Sequence, residues 1–241
     1  MKAPWGREPW PKPATRHWMI DVMCFRFARS AALAVALFLV CLPAMAEEAA
    51  GVIERQKGEA TRSLAGSTAP LSLGAKVFAG DILKTGPEAR LLVRFADGSS
   101  LTLGEKAEVF VDEMVFDPTA AGAGTGRQAL IMVVGVFRYT SGKIGKTSPS
   151  QVAFGTPTAT IGIRGTDFVG GELTVGMPVG QPHYGFQIQE GAIEVITPQG
   201  SVTLDDPGEG TFLPLAGGRA PTPVRQWTAE EAAEAQAAIA F

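Results

Sequence analysis

Hydrophobic and polar residues alternate in short runs along most of this chain. Between Gly51 and Leu215 there is no sustained 3.6-residue apolar repeat, whereas alternation and turn residues recur about every 8 to 12 residues. Such spacing is typical of all-β domains. We therefore predict an array of short strands, either β-solenoid-like or β-sandwich-like (jelly-roll-like).

The clearest predicted hairpin turns at Asp97-Gly98. An Asp-Gly pair between two alternating runs is a strong indication of a hairpin. The apolar residues that share one face of its two strands are Leu91, Val93, Phe95, Leu101 and Leu103. Asp97 is thus interpreted as a turn residue, and Asp81 after Gly80 as the cap of another turn.

A second unit runs from Gln187 to Thr197 and is predicted to turn at Glu190-Gly191. It then turns again at Pro198-Gln199-Gly200 and continues to Leu204. The low-complexity residues 119–127 are predicted to form an exposed, mobile loop.

Only the C-terminal segment predicts a helix. Thr228 with Glu231 three residues later fits a capping box, and the Ala-rich sequence favours a helix through about Ile239. The predicted organisation is an N-terminal extension plus cleaved signal peptide (1–46), a β domain (47–215), a Gly/Pro-rich linker (216–227) and a helix (228–240).

The N-terminal apolar run, Ser30–Leu42, has 13 residues and follows Arg26 and Arg29. This pattern is typical of a secretory signal peptide, and the run is shorter than the roughly 20 residues of a membrane-spanning helix. We expect cleavage after Ala46, with Ala44 as the second small residue of the site. A retained anchor is the alternative, and Met1, Met19 and Met23 are the candidate starts.

The net charge limits the kinds of partner that this protein can bind. Removing residues 1–46 takes away six basic and two acidic side chains, so the net charge of −3 becomes −7. An acidic exported chain does not favour nucleic acid as a partner. We expect a periplasmic or secreted protein with no stable membrane span after cleavage.

Groups for catalysis or metal binding are scarce. Cys24 and Cys41 precede the expected cleavage site, and His183 is the one histidine after it. We interpret His183 as a loop residue near the surface. Zinc sites and nucleophilic triads need more imidazole or thiolate groups than this, so we expect no enzyme, no metal and no cofactor.

Two motifs come close to known sites without matching them. The segment Gly142–Thr147 ends like a phosphate-binding loop, but position 140 is Thr where the motif needs Gly, and no helix pattern follows. The carboxylates show no calcium-loop spacing, and nothing singles out a glycosidase pair.

The most distinctive segment is Thr156–Phe168, TPTATIGIRGTDF. Its glycines indicate a backbone with positive φ or little room. Arg164 lies three residues before Asp167, and we predict an ion pair between them that pins a strand crossing. A ligand-binding role for Arg164 is the alternative.

This segment closely resembles the T-P-x-A-x-x-G-[IV]-R-G-T-x-F signature of the FecR domain family, and matching motifs flank it in the same order over about residues 51–215. The residues that carry the resemblance include Gly80, Asp81, Asp97, Gly98, Thr156, Pro157, Arg164, Gly165, Thr166, Asp167, Phe168, Glu190 and Gly191.

The resemblance implies an extracytoplasmic β-rich domain that acts through protein contacts. In the namesake regulators such a domain passes a signal from an outer-membrane transporter to a cytoplasmic sigma-factor-binding segment. The resemblance does not extend to that segment, so we expect no transmembrane control of a sigma factor.

We therefore expect a non-catalytic periplasmic interaction or signalling module with an envelope protein as partner. Two alternatives are an envelope carbohydrate- or peptidoglycan-binding protein that uses Tyr139 or Tyr184 as a sugar platform, and a purely structural scaffold.

Overall fold

The computed structural model describes residues 48–117, 119, 125–175 and 183–241. The predicted signal peptide, with Ala44 and Ala46, and most of the predicted 119–127 loop lie outside these residues. The strands in chain order are β1 Gly51–Lys57, β2 Ala60–Leu64, β3 Ser67–Pro70, β4 Lys76–Val77, β5 Ile82–Thr85, β6 Arg90–Phe95, β7 Ser100–Leu103, β8 Glu108–Asp117, β9 Thr125–Val134, β10 Val136–Thr140, β11 Val152–Gly155, β12 Thr160–Leu173, β13 His183–Thr197, β14 Gly200–Leu204, β15 Glu209–Pro214 and β16 Arg225–Gln226. The all-β prediction is confirmed.

Helices are few in the described residues: α1 Lys143–Thr147, a 3₁₀ turn at Pro149–Gln151, and α2 Ala229–Ile239. The prediction for α2 is confirmed, and its N-terminus has the expected capping box between Thr228 and Glu231. Helix α1 was not predicted, because the sequence pattern after Gly142 did not indicate a helix. The end of the predicted loop is also corrected, since β9 already begins at Thr125.

The two longest strands, β12 and β13, pair antiparallel and form a ribbon through the middle of the sheet. Thr160–Gly162, in the first half of β12, pair with β11, whereas Asp167–Gly171, in its second half, pair with β10. Likewise, one half of β13 pairs with β14 and the other with β15. The ribbon therefore belongs to two parts of one continuous sheet.

We call these parts arm 1 and arm 2. Arm 1 extends from the ribbon through β11, β9, β8, β5, β2 and β3, with β14 on its other side. Arm 2 extends through β10, β7, β6, β1 and β4, with β15 and β16 on its other side. Most neighbours are antiparallel, and β9 and β11 form a parallel pair.

The two arms face each other across one hydrophobic core. Phe137 of arm 2 stacks on Phe154 of arm 1 with ring centroids 4.6 Å apart. Phe168 meets both rings edge-on, at 5.6 and 5.7 Å. Rings in these geometries add stabilisation beyond their buried area. The curled sheet thus encloses its core as a sandwich does.

The Asp97-Gly98 hairpin is confirmed. Strands β6 and β7 pair as predicted, and all five apolar residues assigned to the shared face are at most 2% exposed. The turn between β13 and β14 at Pro198-Gln199 is also confirmed. These turns were predictable because their geometry depends on adjacent residues.

The segment 216–227, expected as a linker, contains β16 and ends at the buried Trp227. Its Trp227 ring belongs to a second apolar cluster, outside the core between the arms. The other buried members of this cluster are Val136, Val169, Leu173, Phe212, Ala235 and Ile239.

Candidate functional site

In both ribbon strands, the side chains that face the core switch between odd- and even-numbered positions where arm 1 meets arm 2. In β12 the core side chains are Ile161 and Ile163 on the arm 1 side, and Thr166 and Phe168 on the arm 2 side. Since side chains alternate with a period of two, such a change requires one extra residue. The pairing register shifts at this point, between Arg164 and Asp167.

We call this point, Arg164–Asp167 of β12 with the facing residues Glu190–Ala192 of β13, the crease. Gly165 and Gly191 face each other there, with φ of 58° and 80°. A Cβ on Gly191 would overlap the Gly165 carbonyl oxygen, whereas a Cβ on Gly165 would meet open space. Glycine is therefore required at 191 by both conformation and space. The predicted turn at Glu190-Gly191 is wrong, because β13 continues through these residues as a bulged strand.

The start of the distinctive segment is a tight turn between β11 and β12. The Thr156 hydroxyl accepts a hydrogen bond from the Ala159 amide at 3.0 Å, and the Thr156 amide donates to the Ala159 carbonyl at 2.8 Å. Pro157 is exposed within this turn. Thr156 and Pro157 thus set the entry of β12 into the ribbon.

A buried hydrogen-bond network connects the hairpin turn to the core. Tyr139 donates to the Gln128 carboxamide oxygen at 2.6 Å, and the Gln128 amide donates to the Ser99 hydroxyl at 3.1 Å. Ser99 in turn donates to Asp97 through its hydroxyl at 2.6 Å and its amide at 2.9 Å. Burial raises the pKa of the Tyr139 phenol, so this donor stays protonated.

Asp97 also explains helix α1. Its other carboxylate oxygen accepts from the Ile144 amide at 3.3 Å, and its carbonyl accepts from Lys143 at 2.9 Å. A carboxylate at a helix N-terminus satisfies free backbone amides. In Gly142–Thr147, which resembles a phosphate-binding loop, the backbone amides at the start of the helix thus bind the chain's own Asp97.

Thr166 joins the same region from the ribbon. Its amide donates to the Ser141 hydroxyl at 2.9 Å, and its carbonyl accepts from the Ser141 amide at 2.8 Å. Both residues are buried. The structure therefore brings Asp97 and Thr166, predicted from separate motifs, to either side of the β10–α1 connection.

Asp167 does not pair with Arg164. Its carboxylate accepts two hydrogen bonds from Arg138, at 2.7 and 2.8 Å. This hydrogen-bonded pair raises the pKa of Arg138. Arg164 is exposed on arm 1, on the other side of the crease. The predicted Arg164–Asp167 pair is thus wrong, because the bulge between the two residues separates their directions.

Gly80 and Asp81 form the turn before β5, as predicted. The Asp81 carboxylate accepts from the Phe78 amide at 2.8 Å and lies 3.3 Å from the Arg62 guanidinium. Asp81 is fully buried. It caps a turn at the opposite end of the arm from Arg164, so the structure does not bring these two residues together.

His183 is buried at the start of β13, so its interpretation as a surface loop residue is wrong. Its ring meets Phe212 edge-on with centroids 5.0 Å apart, and Nε2 lies 2.9 Å from the Val175 carbonyl oxygen. His183 is therefore a packed residue of arm 2.

The two tyrosines proposed as sugar platforms are also buried, with Tyr139 and Tyr184 at most 2% exposed. Burial, with a smaller contribution from the Glu172 carboxylate, raises the pKa of Tyr184 to about 12. Neither ring presents a face to solvent, so a carbohydrate site built on them is contradicted.

The outer face of arm 2 is covered by the C-terminal segment. The Trp227 ring stacks on Phe212 with centroids 5.1 Å apart, over Gly185 and Gly210. A Cβ on Gly185 would lie 3.0 Å from the indole, and one on Gly210 would overlap it. The ring thus fills a gap that the two glycines leave.

Two carboxylates fasten α2 over this face. Glu231 accepts two hydrogen bonds from Arg225, and this contact holds the pKa of Glu231 below its ordinary value. Glu234 accepts from the amides of Thr174 and Val175 at 2.8 and 2.9 Å. Burial opposes the ionisation of Glu234, but these hydrogen bonds outweigh it and lower its pKa.

The outer face of arm 1 instead carries a groove of about 440 Å³ across β11–β14. Arg164 lines it, together with Gly162 and Ala192 on the floor and Glu194 and Asp205 on the β13–β14 side. Arg164, Glu194 and Asp205 are exposed. Sequence reasoning missed this groove, although Gly162 in β12 and Ala192 in β13 are small residues at outward-facing strand positions.

Within the described ranges, no three His, Cys, Asp or Glu side chains are grouped so that they could hold a metal ion. No helix formed by the described residues is long and apolar enough to cross a membrane.

The profile of the FecR protein family matches residues 81–203, more than half of the chain. The match contains the hairpin, the crease and every groove-lining residue except Asp205. The chain therefore belongs to the FecR family. No curated protein sequence matches it.

Two crystal structures of a proposed anti-sigma factor from Parabacteroides distasonis resemble this fold weakly. They are 12% and 14% identical in sequence, with TM-scores of 0.46 and 0.45. Each match covers 63% of this chain and 62% of the other. A likeness this weak identifies neither a common activity nor a common partner.

Proposed function

We propose that this protein is a non-catalytic, periplasmic interaction module of the FecR family that signals by binding an envelope protein. The observation that carries the proposal is the groove of arm 1. It is lined in part by Thr160–Arg164 of the family signature, within a fold whose other signature residues build the crease and contribute to the buried hydrogen bonds.

The buried hydrogen-bond network of this fold also supports a binding role. Asp97, Ser99, Gln128 and Tyr139 are at most 1% exposed and are connected by hydrogen bonds. A satisfied buried network holds the surrounding backbone in one arrangement. A surface that is ordered before binding loses less entropy when a partner docks.

Site-specific photo-crosslinking in cells that express the full chain tests this proposal. A photoreactive residue at Thr160 or Thr203, in the groove, should give a discrete crosslinked protein. The same residue at Leu73, which is 71% exposed and outside the groove, should not. Crosslinks of equal yield from all three positions would contradict the proposal.

Fractionation of the same cells tests location. We expect the chain in the periplasmic fraction, shortened by the predicted signal peptide. A full-length chain found in the cytoplasm would contradict an envelope role.

A further inference from the structure

The floor of the arm 1 groove has an unfilled position above Gly162. A Cβ built there would meet only Glu194, at 3.6 and 3.8 Å, which are ordinary contact distances. Ile196 lies on the same face and is 39% exposed. The groove thus offers a small apolar surface at its centre.

Arm 2 shows what such a surface accommodates. There the glycines at 185 and 210 are covered by the indole of Trp227, which stacks on Phe212. An aromatic ring buries a large apolar area, and a glycine leaves room for it because it has no side chain. The same sheet therefore carries a filled example and an unfilled one.

The basic side chain of the groove lies on β12, and its acidic side chains lie on the neighbouring β13 and just after β14. Arg164 stands opposite Ala192 in the ribbon, and Glu194 stands opposite Gly162 on one side and Thr203 on the other. On arm 2, Arg138 and Arg225 are each paired with a carboxylate. Among the described residues, no carboxylate lies within 4.0 Å of the Arg164 guanidinium nitrogens.

We propose that the groove binds an extended segment of a partner protein that carries an acidic, an aromatic and a basic residue. Its carboxylate pairs with Arg164, its aromatic ring lies over Gly162, and its basic side chain faces Glu194 and Asp205. Arginine binds carboxylates with two directed hydrogen bonds, so this contact selects orientation as well as charge. This inference rests on the proposed binding function and specifies its partner.

A displayed library of random linear peptides, selected on the full chain, tests the specificity. We expect selected peptides to share an acidic, an aromatic and a basic position. In fluorescence anisotropy, Arg164→Ala should weaken their binding by about tenfold or more. Arg219→Ala is the matched control, since Arg219 is exposed and does not line the groove.

Two further variants separate binding from folding. Gly162→Val places a side chain over the groove floor in an extended strand, where Val is well accommodated. It should abolish peptide binding and leave the thermal midpoint within about 2 °C of the parent. Arg164→Glu should lose the selected peptide and bind one in which Lys replaces its acidic residue.

Three results would overturn the inference. Peptides that bind Arg164→Ala and Gly162→Val as tightly as the parent would place binding elsewhere. Failure to select any peptide would show that the groove does not recognise linear segments. Concentration-dependent dimerisation that Arg164→Ala abolishes would assign the groove to a second copy. If Thr160 still crosslinks a partner in cells, the proposed function stands while this specificity fails.

Discussion

The outer faces of the two arms are built on the same two strands and differ in what covers them. On arm 2 the chain itself supplies Trp227 and α2, whereas on arm 1 the corresponding residues line an exposed groove. On the covered face Trp227 lies over Gly185 and Gly210, and Arg138 and Arg225 are each paired with a carboxylate. The comparison indicates which groups a partner must supply to cover arm 1.

Helix α2 contributes little apolar area of its own. Ala235 and Ile239 are its buried apolar side chains, and Glu231 is buried through its contact with Arg225. The large side chain of Trp227, just before the helix, adds to this covering surface. The helix is held on the sheet by this ring, by Ala235 and Ile239, and by the hydrogen bonds of Glu231 and Glu234.

The largest expected effect is at this ring. Trp227→Ala should destabilise the fold by about 3 to 5 kcal/mol, because it removes a large buried side chain. Ile196→Ala, on the exposed face of arm 1, should cost less than about 1 kcal/mol. Urea unfolding of both variants measures the difference, and equal losses would show that the two faces are not distinct in the way we describe.

The crease between the arms should be the next most sensitive position. Gly191→Ala should cost about 2 to 4 kcal/mol, since the added methyl overlaps the Gly165 carbonyl and φ is positive. Gly165→Ala meets open space and should cost only about 1 to 2 kcal/mol of backbone strain. Thermal unfolding of the pair would contradict the crease if Gly165→Ala were the more damaging change.

The two outer-face arginines should differ as well. Arg138→Ala should destabilise the fold by about 1 to 2 kcal/mol, because it leaves the Asp167 carboxylate, 15% exposed, without its partner. Arg164→Ala should change stability by no more than about 0.5 kcal/mol. Chemical denaturation of both variants is the measurement. A large loss of stability in Arg164→Ala would instead support the Arg164–Asp167 pair that the sequence predicted.

The smallest expected effect is the pH dependence of the α2 attachment. Arg225 holds the pKa of Glu231 below its ordinary value of 4.5, so the carboxylate is favoured in the folded chain. Its contribution to stability is present above pH 4.5 and is lost as the pH falls through the folded-state pKa. Glu231→Gln should cost about 1 kcal/mol at pH 7 and progressively less below pH 4.5.

Urea midpoints of Glu231→Gln and the parent between pH 3 and pH 7 provide the test. The difference isolates Glu231, because the other carboxylates titrate in both chains. A gap between the two midpoints that stays constant down to pH 3 would show that Arg225 does not stabilise the ionised form.

The features that the sequence predicted well depend on neighbouring residues. The Asp97-Gly98 hairpin and the Thr228 capping box are both set within a few positions. Membership of the FecR family was also readable, because its motifs occur in a fixed order.

The features that it missed depend on sheet register. Arg138 and Asp167 are 29 residues apart and meet only because β10 lies beside β12. The change of parity was visible in the spacing from Ile163 to Phe168. It was not recognised because a bulge and a turn use the same residues, Gly above all.

The shared ribbon has a further consequence for how the molecule comes apart. Strands β12 and β13 each run through both arms. Unfolding of one arm therefore disrupts the two strands on which the other arm is built. A part of a protein unfolds as an independent unit only when the rest of the structure keeps its own contacts. The crease therefore joins both arms into one unit of unfolding, and a scanning calorimeter should record a single transition whose calorimetric and van't Hoff enthalpies agree.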